Sequence, residues 1–199
     1  MQPRTFRFLL VGSAFVAGLV LFLAVFFLLT GHRYGGSPSA AAVGGPFSLV
    51  DQRGKPVTDK DFKGKPYLVF FGFTHCPDVC PTALFEMSEV LRALGRDADK
   101  TAALFVTVDP ERDTPAVMND YLSSFDPHLR GATGTREQVD AVEKTFRVYA
   151  KKVPSSDADG YTMDHTALVY LMDKDGRFVK PFSLKRTPAE AADELRRYF

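Results

Sequence analysis

Apolar positions along the chain come in three textures. Residues 8–29, FLLVGSAFVAGLVLFLAVFFLL, are apolar almost without interruption and carry no charge. Residues 66–73 (PYLVFFGF), 102–108 (AALFVTV) and 166–172 (TALVYLM) are short runs rich in aromatic and β-branched residues. Runs of that kind predict strands buried on both faces, as in parallel sheets. Elsewhere the apolar residues recur at helical spacing. Leu84, Met87, Val90, Leu91 and Leu94 mark one face of a helix over 82–95, with Gly95 as its stop. Thr114-Pro115 opens a helix to about residue 125, proline taking the first helical position. Thr135 with Gln138, and Thr187 with Glu190, are capping boxes. They open helices running to about residue 146 and to residue 199. FSLV and PVT read as two short strands around DQRGK, and 59–65 as a polar connection. LRGATG is a short strand or loop. Residues 147–165 form a hairpin turning at PSSDADG, and RFVKPF pairs with 166–172 across DKDG.

The first texture is too long for a core helix. As a helix, residues 8–29 span roughly 33 Å, enough to cross the hydrocarbon core of a bilayer. Arg4 and Arg7 precede the run, which favours a cytoplasmic N-terminus and a bulk chain on the far side. Only seven residues precede it, too few for a transit peptide. The expectation is a bacterial inner membrane protein with one N-terminal span and a periplasmic domain. A cleaved signal is the competing reading, with small residues at 39–42 as its cleavage site. Three regions follow: an anchor at 1–30, a Gly-rich tether at 31–46 and a folded domain at 47–199.

Within the domain, strand–helix–strand–helix precedes a hairpin and a terminal helix. That is the order of a thioredoxin-like α/β fold, a central mixed sheet flanked by helices. Charge adds one exclusion. Formal net charge is +1, with no basic block, so the chain lacks the positive face a nucleic-acid partner requires. Two cysteines cannot build a disulfide framework, which leaves the pair free for chemistry.

That pair lies in FFGFTHCPDVCP, residues 70–81, where the first central strand gives way to a helix. Chemistry gathers at this end of open α/β sheets. Four residues apart in one helical turn, Cys76 and Cys80 can face the same way, within disulfide reach. Three readings stand: a redox pair, half of a metal site, or a local staple. A staple across so short a loop adds little stability. Two thiolates fall short of a zinc site but nearly suffice for Cu(I). A third ligand would decide. His32 lies in the tether and His128 in a polar turn, and His75 flanks Cys76. His165, in YTMDHTALVYL, stands at the start of a core strand, on the loop that faces the cysteine pair in this fold. Glu111, Arg112 and Asp113 read as solvated or locally paired charges. DKDG lacks the order of a calcium loop.

Three blocks occur in sequence: FFGFTHCPDVCP, TVDPERDTP (107–115) and MDHTALVYL (163–171). Together they resemble the Sco/SenC proteins, membrane-anchored copper chaperones of cytochrome c oxidase assembly. The resemblance covers residues 47–199. It implies Cu(I) and Cu(II) binding by Cys76, Cys80 and His165. Asp78, Asp109 and Asp164 would stand behind these ligands. It also implies maturation of the CuA centre of oxidase subunit II, either by delivering metal or by reducing the target's cysteines. In the second case Cys76 and Cys80 are a redox pair that closes into a disulfide when oxidised. A periplasmic copper donor or thiol reductant would be the other partner. A peroxide-reducing enzyme on the same fold is a weaker third reading.

Overall fold

The computed structural model describes residues 17–23, 25–26, 43–156 and 160–199. The chain divides into two compact units, Met1–Ala41 and Ala42–Phe199. In the first, residues 17–23 and 25–26 are helical, and Leu19, Val20, Leu21 and Phe22 are exposed. Among the described residues no helix is long and apolar enough to cross a membrane. Most of the expected span at 8–29, and of the tether at 31–46, lies outside the described residues.

The second unit is a mixed α/β layer structure, consistent with the thioredoxin-like arrangement. Its strands are β1 (Ser48–Asp51), β2 (Pro56–Thr58), β3 (Tyr67–Gly72), β4 (Ala102–Thr107), β5 (Leu129–Thr133), β6 (Ala150–Pro154), β7 (Tyr161–His165), β8 (Val169–Met172) and β9 (Phe178–Pro181). Its helices are α1 (Val79–Leu94), α2 (Pro115–Leu122), α3 (Arg136–Phe146) and α4 (Pro188–Arg196). Seven strands form one sheet in the order β2-β1-β5-β4-β3-β8-β9, while β6 and β7 form a separate ribbon. β3 runs parallel to β4 and antiparallel to β8. Every residue of β3 and of β4 is buried, because each strand has neighbours on both sides and helices over both faces. Phenylalanine fills the space between layers: the Phe71 ring lies 5.3 Å from Phe146, and Phe70 stacks on Phe105 at 6.2 Å.

Both expected capping boxes form, at Thr135 with Gln138 and Thr187 with Glu190. A third, at Thr58 with Asp61, turns the expected polar connection into a short 3-10 helix. LRGATG is resolved as a strand, because it pairs with β4 on one side and β1 on the other. Two expectations near the cysteines need correcting. Helix α1 begins at Val79, three residues before the expected start, so Cys80 lies in its first turn. Cys76 stays outside the helix, since the proline after it disfavours helical backbone there. The core strand expected at 166–172 begins only at Val169, so His165 does not open it but ends the hairpin, at the bound of 165 expected for it. The hairpin claims it through the bonds from Thr166 N–H to the Tyr149 carbonyl (2.9 Å) and from Tyr149 N–H to Thr166 Oγ1 (3.0 Å).

In register, Gly72 stands beside Thr107, and Val108 N–H donates to the Gly72 carbonyl at 2.8 Å. The cysteine loop and the TVDPERDTP loop therefore leave the sheet side by side.

Candidate metal centre

Three side chains converge at this end of the sheet. The ligand atoms of Cys76, Cys80 and His165 all lie within 4.8 Å of one another, and both cysteines are free thiols. Cys80 is fully buried, while Cys76 and His165 are half-buried. Its sulfur lies 3.6 Å from His165 Nε2. The Cys76 sulfur accepts the Cys80 backbone N–H at 3.4 Å. Asp78, at the N-cap position of α1, makes no side-chain cap bond, so the sulfur of Cys76 takes a donor that a cap would ordinarily satisfy. A helix N-terminus favours negative charge at such a place.

The two thiols share a proton unequally. The Cys76 thiol is drawn down to about 3, chiefly by the hydrogen bond from Cys80. Desolvation opposes this, while His165 and the N–H groups of Asp78 and Cys80 assist it. The Cys80 thiol is pushed up by its bond to Cys76 and by burial. The pair thus presents one half-buried thiolate and one buried thiol.

The imidazole is aimed by its own neighbour. His165 Nδ1 lies 3.2 Å from the Thr166 carbonyl, which accepts only. Nδ1 therefore donates to that carbonyl, which leaves Nε2 as the ring nitrogen that faces the sulfurs. The ring is held edge-on by Phe73 (5.7 Å, 89°) and Phe70 (6.3 Å, 75°). Two soft sulfurs and one imidazole nitrogen at this spacing form a donor set for a soft or borderline metal ion.

The acidic residues expected behind the ligands differ in burial. Asp78 and Asp164 are exposed. Asp109 is buried but accepts from Arg112 Nε (2.5 Å) and from the Tyr161 hydroxyl (3.2 Å). None of the three carboxylates belongs to the cluster of candidate ligands. His75 is exposed, with Nδ1 3.1 Å from Thr74 Oγ1. His128 is engaged with Asp126 (2.8 Å) and Asp99 (3.3 Å), away from the cysteines. His32 lies outside the described residues.

Two residues that bear on the site gave no chemical signal in the sequence. Gly72 has no side chain, and a Cβ there would lie 2.7 Å from the Cys80 sulfur and 2.9 Å from Phe105. The sulfur occupies the space that any other residue would fill. Asp113, expected as a solvated or locally paired charge, is completely buried. It accepts from Thr74 N–H (3.1 Å), Thr74 Oγ1 (2.6 Å) and Thr107 Oγ1 (2.5 Å). It thereby ties the loop before Cys76 to the end of β4. Burial nevertheless raises its carboxyl above the ordinary range, with the Asp109 charge adding to it.

The SCO1/SenC family model matches residues 35–199, a stretch that contains all three converging side chains. The chain belongs to the SCO1/SenC family. Among SCO1/SenC relatives, the mouse mitochondrial SCO1 homolog is 42% identical over 166 residues, covering 82% of this chain and 57% of the mouse protein. The chain thus spans little more than half the length of that relative. Bradyrhizobium japonicum ScoI, solved with copper bound, is 69% identical with a TM-score of 0.77; the match covers 79% of this chain and 100% of ScoI. Yeast Sco1, also solved with copper bound, is 37% identical with a TM-score of 0.70, over 79% of this chain and 88% of the yeast one.

Proposed function

We propose that this SCO1/SenC chain is a copper metallochaperone that carries Cu(I) and Cu(II) on Cys76, Cys80 and His165. The observation that carries the reading is the convergence of two sulfurs and an imidazole Nε2 within 4.8 Å. Two thiolates satisfy Cu(I), which accepts low coordination, and the imidazole adds the nitrogen that Cu(II) favours. The copper-bound relatives support the choice of metal. The recipient in this reading is the CuA site of cytochrome c oxidase subunit II. The carrier is held at a bacterial inner membrane by the apolar run at 8–29, with its domain in the periplasm.

Copper titration of the full chain, reduced and oxidised, tests this by absorption and electron paramagnetic resonance. The reduced protein is expected to bind one Cu(I), and the oxidised protein to bind copper poorly. Equal binding by both forms would exclude the sulfurs as ligands. His165→Ala is expected to weaken Cu(II) binding far more than it slows thiol exchange.

A second reading rests on the unequal exposure of the sulfurs. Half-buried Cys76 beside buried Cys80 is the layout of an attacking thiol and a resolving thiol. Cys76 would attack a disulfide of the target, forming a mixed disulfide and releasing one target thiolate. Cys80 would then lose its proton and attack the Cys76 sulfur, releasing the second thiolate. Two electrons pass to the target, and Cys76–Cys80 closes as a disulfide. Exchange unaffected by His165→Ala, together with loss of oxidase maturation only on removal of a cysteine, would favour this reading.

A further inference from the structure

The hairpin that carries His165 is tied to the rest of the domain through Arg112. Arg112 Nε binds buried Asp109 at 2.5 Å, and its Nη1 donates to the Tyr161 carbonyl at 3.3 Å. The guanidinium carbon lies over the Tyr161 ring, 3.9 Å from its centroid, and 5.7 Å from the centroid of Phe73. The Tyr161 hydroxyl returns to Asp109 at 3.2 Å. Phe73 in turn is buried and packs edge-on against His165. The contacts run without a gap from Tyr161 through Arg112 and Phe73 to the imidazole. An outer pair, Lys152 with Glu111 at 2.8 Å, covers the same face but is solvent-exposed.

The two ends of this chain of contacts belong to different structures. Phe73 follows strand β3 directly, whereas Tyr161 opens β7 of the separate ribbon. Arg112, from the loop after β4, is the group that lies against both rings. A planar guanidinium that stacks and donates in fixed directions suits that task, and lysine would not reproduce it.

We infer that Arg112 is a positioning residue for His165, acting through Tyr161 and Phe73, and that it thereby sets the preference of the site between the two oxidation states of copper. The inference rests on the copper reading above. Arg112 is anchored on Asp109 and on Tyr161 of the ribbon, whereas the cysteines are placed by the end of β3 and the start of α1. Loss of Arg112 should therefore spare binding by the sulfurs and impair binding that needs the imidazole.

The test uses the full-length reduced chain, with Cu(I) affinity measured by competition against a chromophoric Cu(I) chelator. Cu(II) binding is followed by absorption and electron paramagnetic resonance. Arg112→Gln is expected to lower Cu(II) affinity by about tenfold and to change the Cu(II) spectrum, with Cu(I) affinity held within about threefold. In a His165→Ala background the same substitution should have no further effect on Cu(II). Where Arg112→Gln fails to fold, Tyr161→Leu is read in the same way, since it keeps the Arg112–Asp109 pair and removes the ring. Arg177→Ala, in the exposed pair with Asp175 between β8 and β9, should leave both affinities unchanged. Equal losses for Cu(I) and Cu(II), an unchanged Cu(II) spectrum, or a loss that persists without His165 would each overturn the inference. Failure of the unsubstituted chain to bind copper would instead overturn the proposed function beneath it.

Discussion

The two halves of the metal centre are built to different standards. The sulfurs come from the loop that leaves an all-buried strand and from the first turn of the sixteen-residue helix that follows it. The far end of that helix is also secured, where Arg196 Nη2 donates to the Ala93 carbonyl at 3.2 Å. The imidazole comes from a two-stranded ribbon outside the main sheet, whose described residues are mostly exposed or half-buried. A two-stranded ribbon gains little stability by itself. The sulfur pair is thus fixed by the core, whereas the nitrogen is fixed by a few named contacts. In the proposed copper reading, such a site would bind Cu(I) through its rigid half and adjust Cu(II) through its peripheral half.

The largest expected effect separates the two sulfurs. In the reduced metal-free chain, Cys76 should react with iodoacetamide at a nearly constant rate from pH 5 to 8. An ordinary thiol gains about three orders of magnitude over that range. The sign follows from a thiol drawn down to about 3, which is ionised throughout. Mass spectrometry of the labelled peptide should also find Cys76 modified well before buried Cys80. A rate that climbs tenfold per pH unit would remove the asymmetry.

Gly72→Ala attacks the rigid half. The new methyl group collides with the Cys80 sulfur and Phe105, at a cost of about 1–3 kcal/mol. In a domain of this size the midpoint of thermal unfolding should fall by about 3–10 °C. Cu(I) affinity should fall with it. An unchanged midpoint would mean that the core accommodates the methyl and is less rigid than described.

Asp113→Asn weakens the tie between the cysteine loop and β4. Thr74 and Thr107 then lose part of their acceptor, a cost of about 1–3 kcal/mol. Burial raises the folded-state pKa of Asp113 above 3.8. Its contribution is therefore fully present below that value and declines as pH rises through the folded pKa. Urea unfolding should show the asparagine variant losing more stability at the acid end than at pH 7. An equal loss at both would show that the carboxyl does not titrate differently in the folded state.

Thr166→Val tests the peripheral half and should have the smallest global effect. It removes the acceptor of Tyr149 N–H, about 0.5–1.5 kcal/mol. Amide exchange should quicken in β6 and β7 while β3 and β4 keep their protection. Faster exchange in all four strands would mean that ribbon and sheet open together.

The sequence was most legible where local pattern and tertiary context agree. The runs at 66–73 and 102–108 become β3 and β4 because continuous apolar strands have no stable place but the centre of a sheet. The capping boxes carry their own geometry and could be read directly. Cys76, Cys80 and His165 were visible as donor atoms with a place in the fold. Asp113 was not. Its neighbours Glu111 and Arg112 make the charge-bearing contacts a reader expects, and nothing in TVDPERDTP says that the last acid turns inward. Only the pairing of β3 with β4 brings Thr74 within reach of it. Arg112 escaped for the same reason, since Tyr161 and Phe73 are far from it in sequence. The start of the core strand was misplaced because Thr166, Ala167 and Leu168 continue the run in sequence, whereas Thr166 bonds to Tyr149 of the hairpin and the next two are exposed.

Gly72 bears a consequence for how such sites are found. The buried sulfur of Cys80 lies 2.7 Å from where any other amino acid at position 72 would place its first side-chain carbon, too close for both. The metal centre is therefore recorded twice in the chain: once in three residues that supply electron pairs, and once in a residue whose contribution is to be absent. A search by donor atoms retrieves the first record and passes over the second. A glycine at the end of a buried central strand, just ahead of a cysteine loop, marks room kept open for sulfur, and it can be sought in chains whose ligands are otherwise unrecognised.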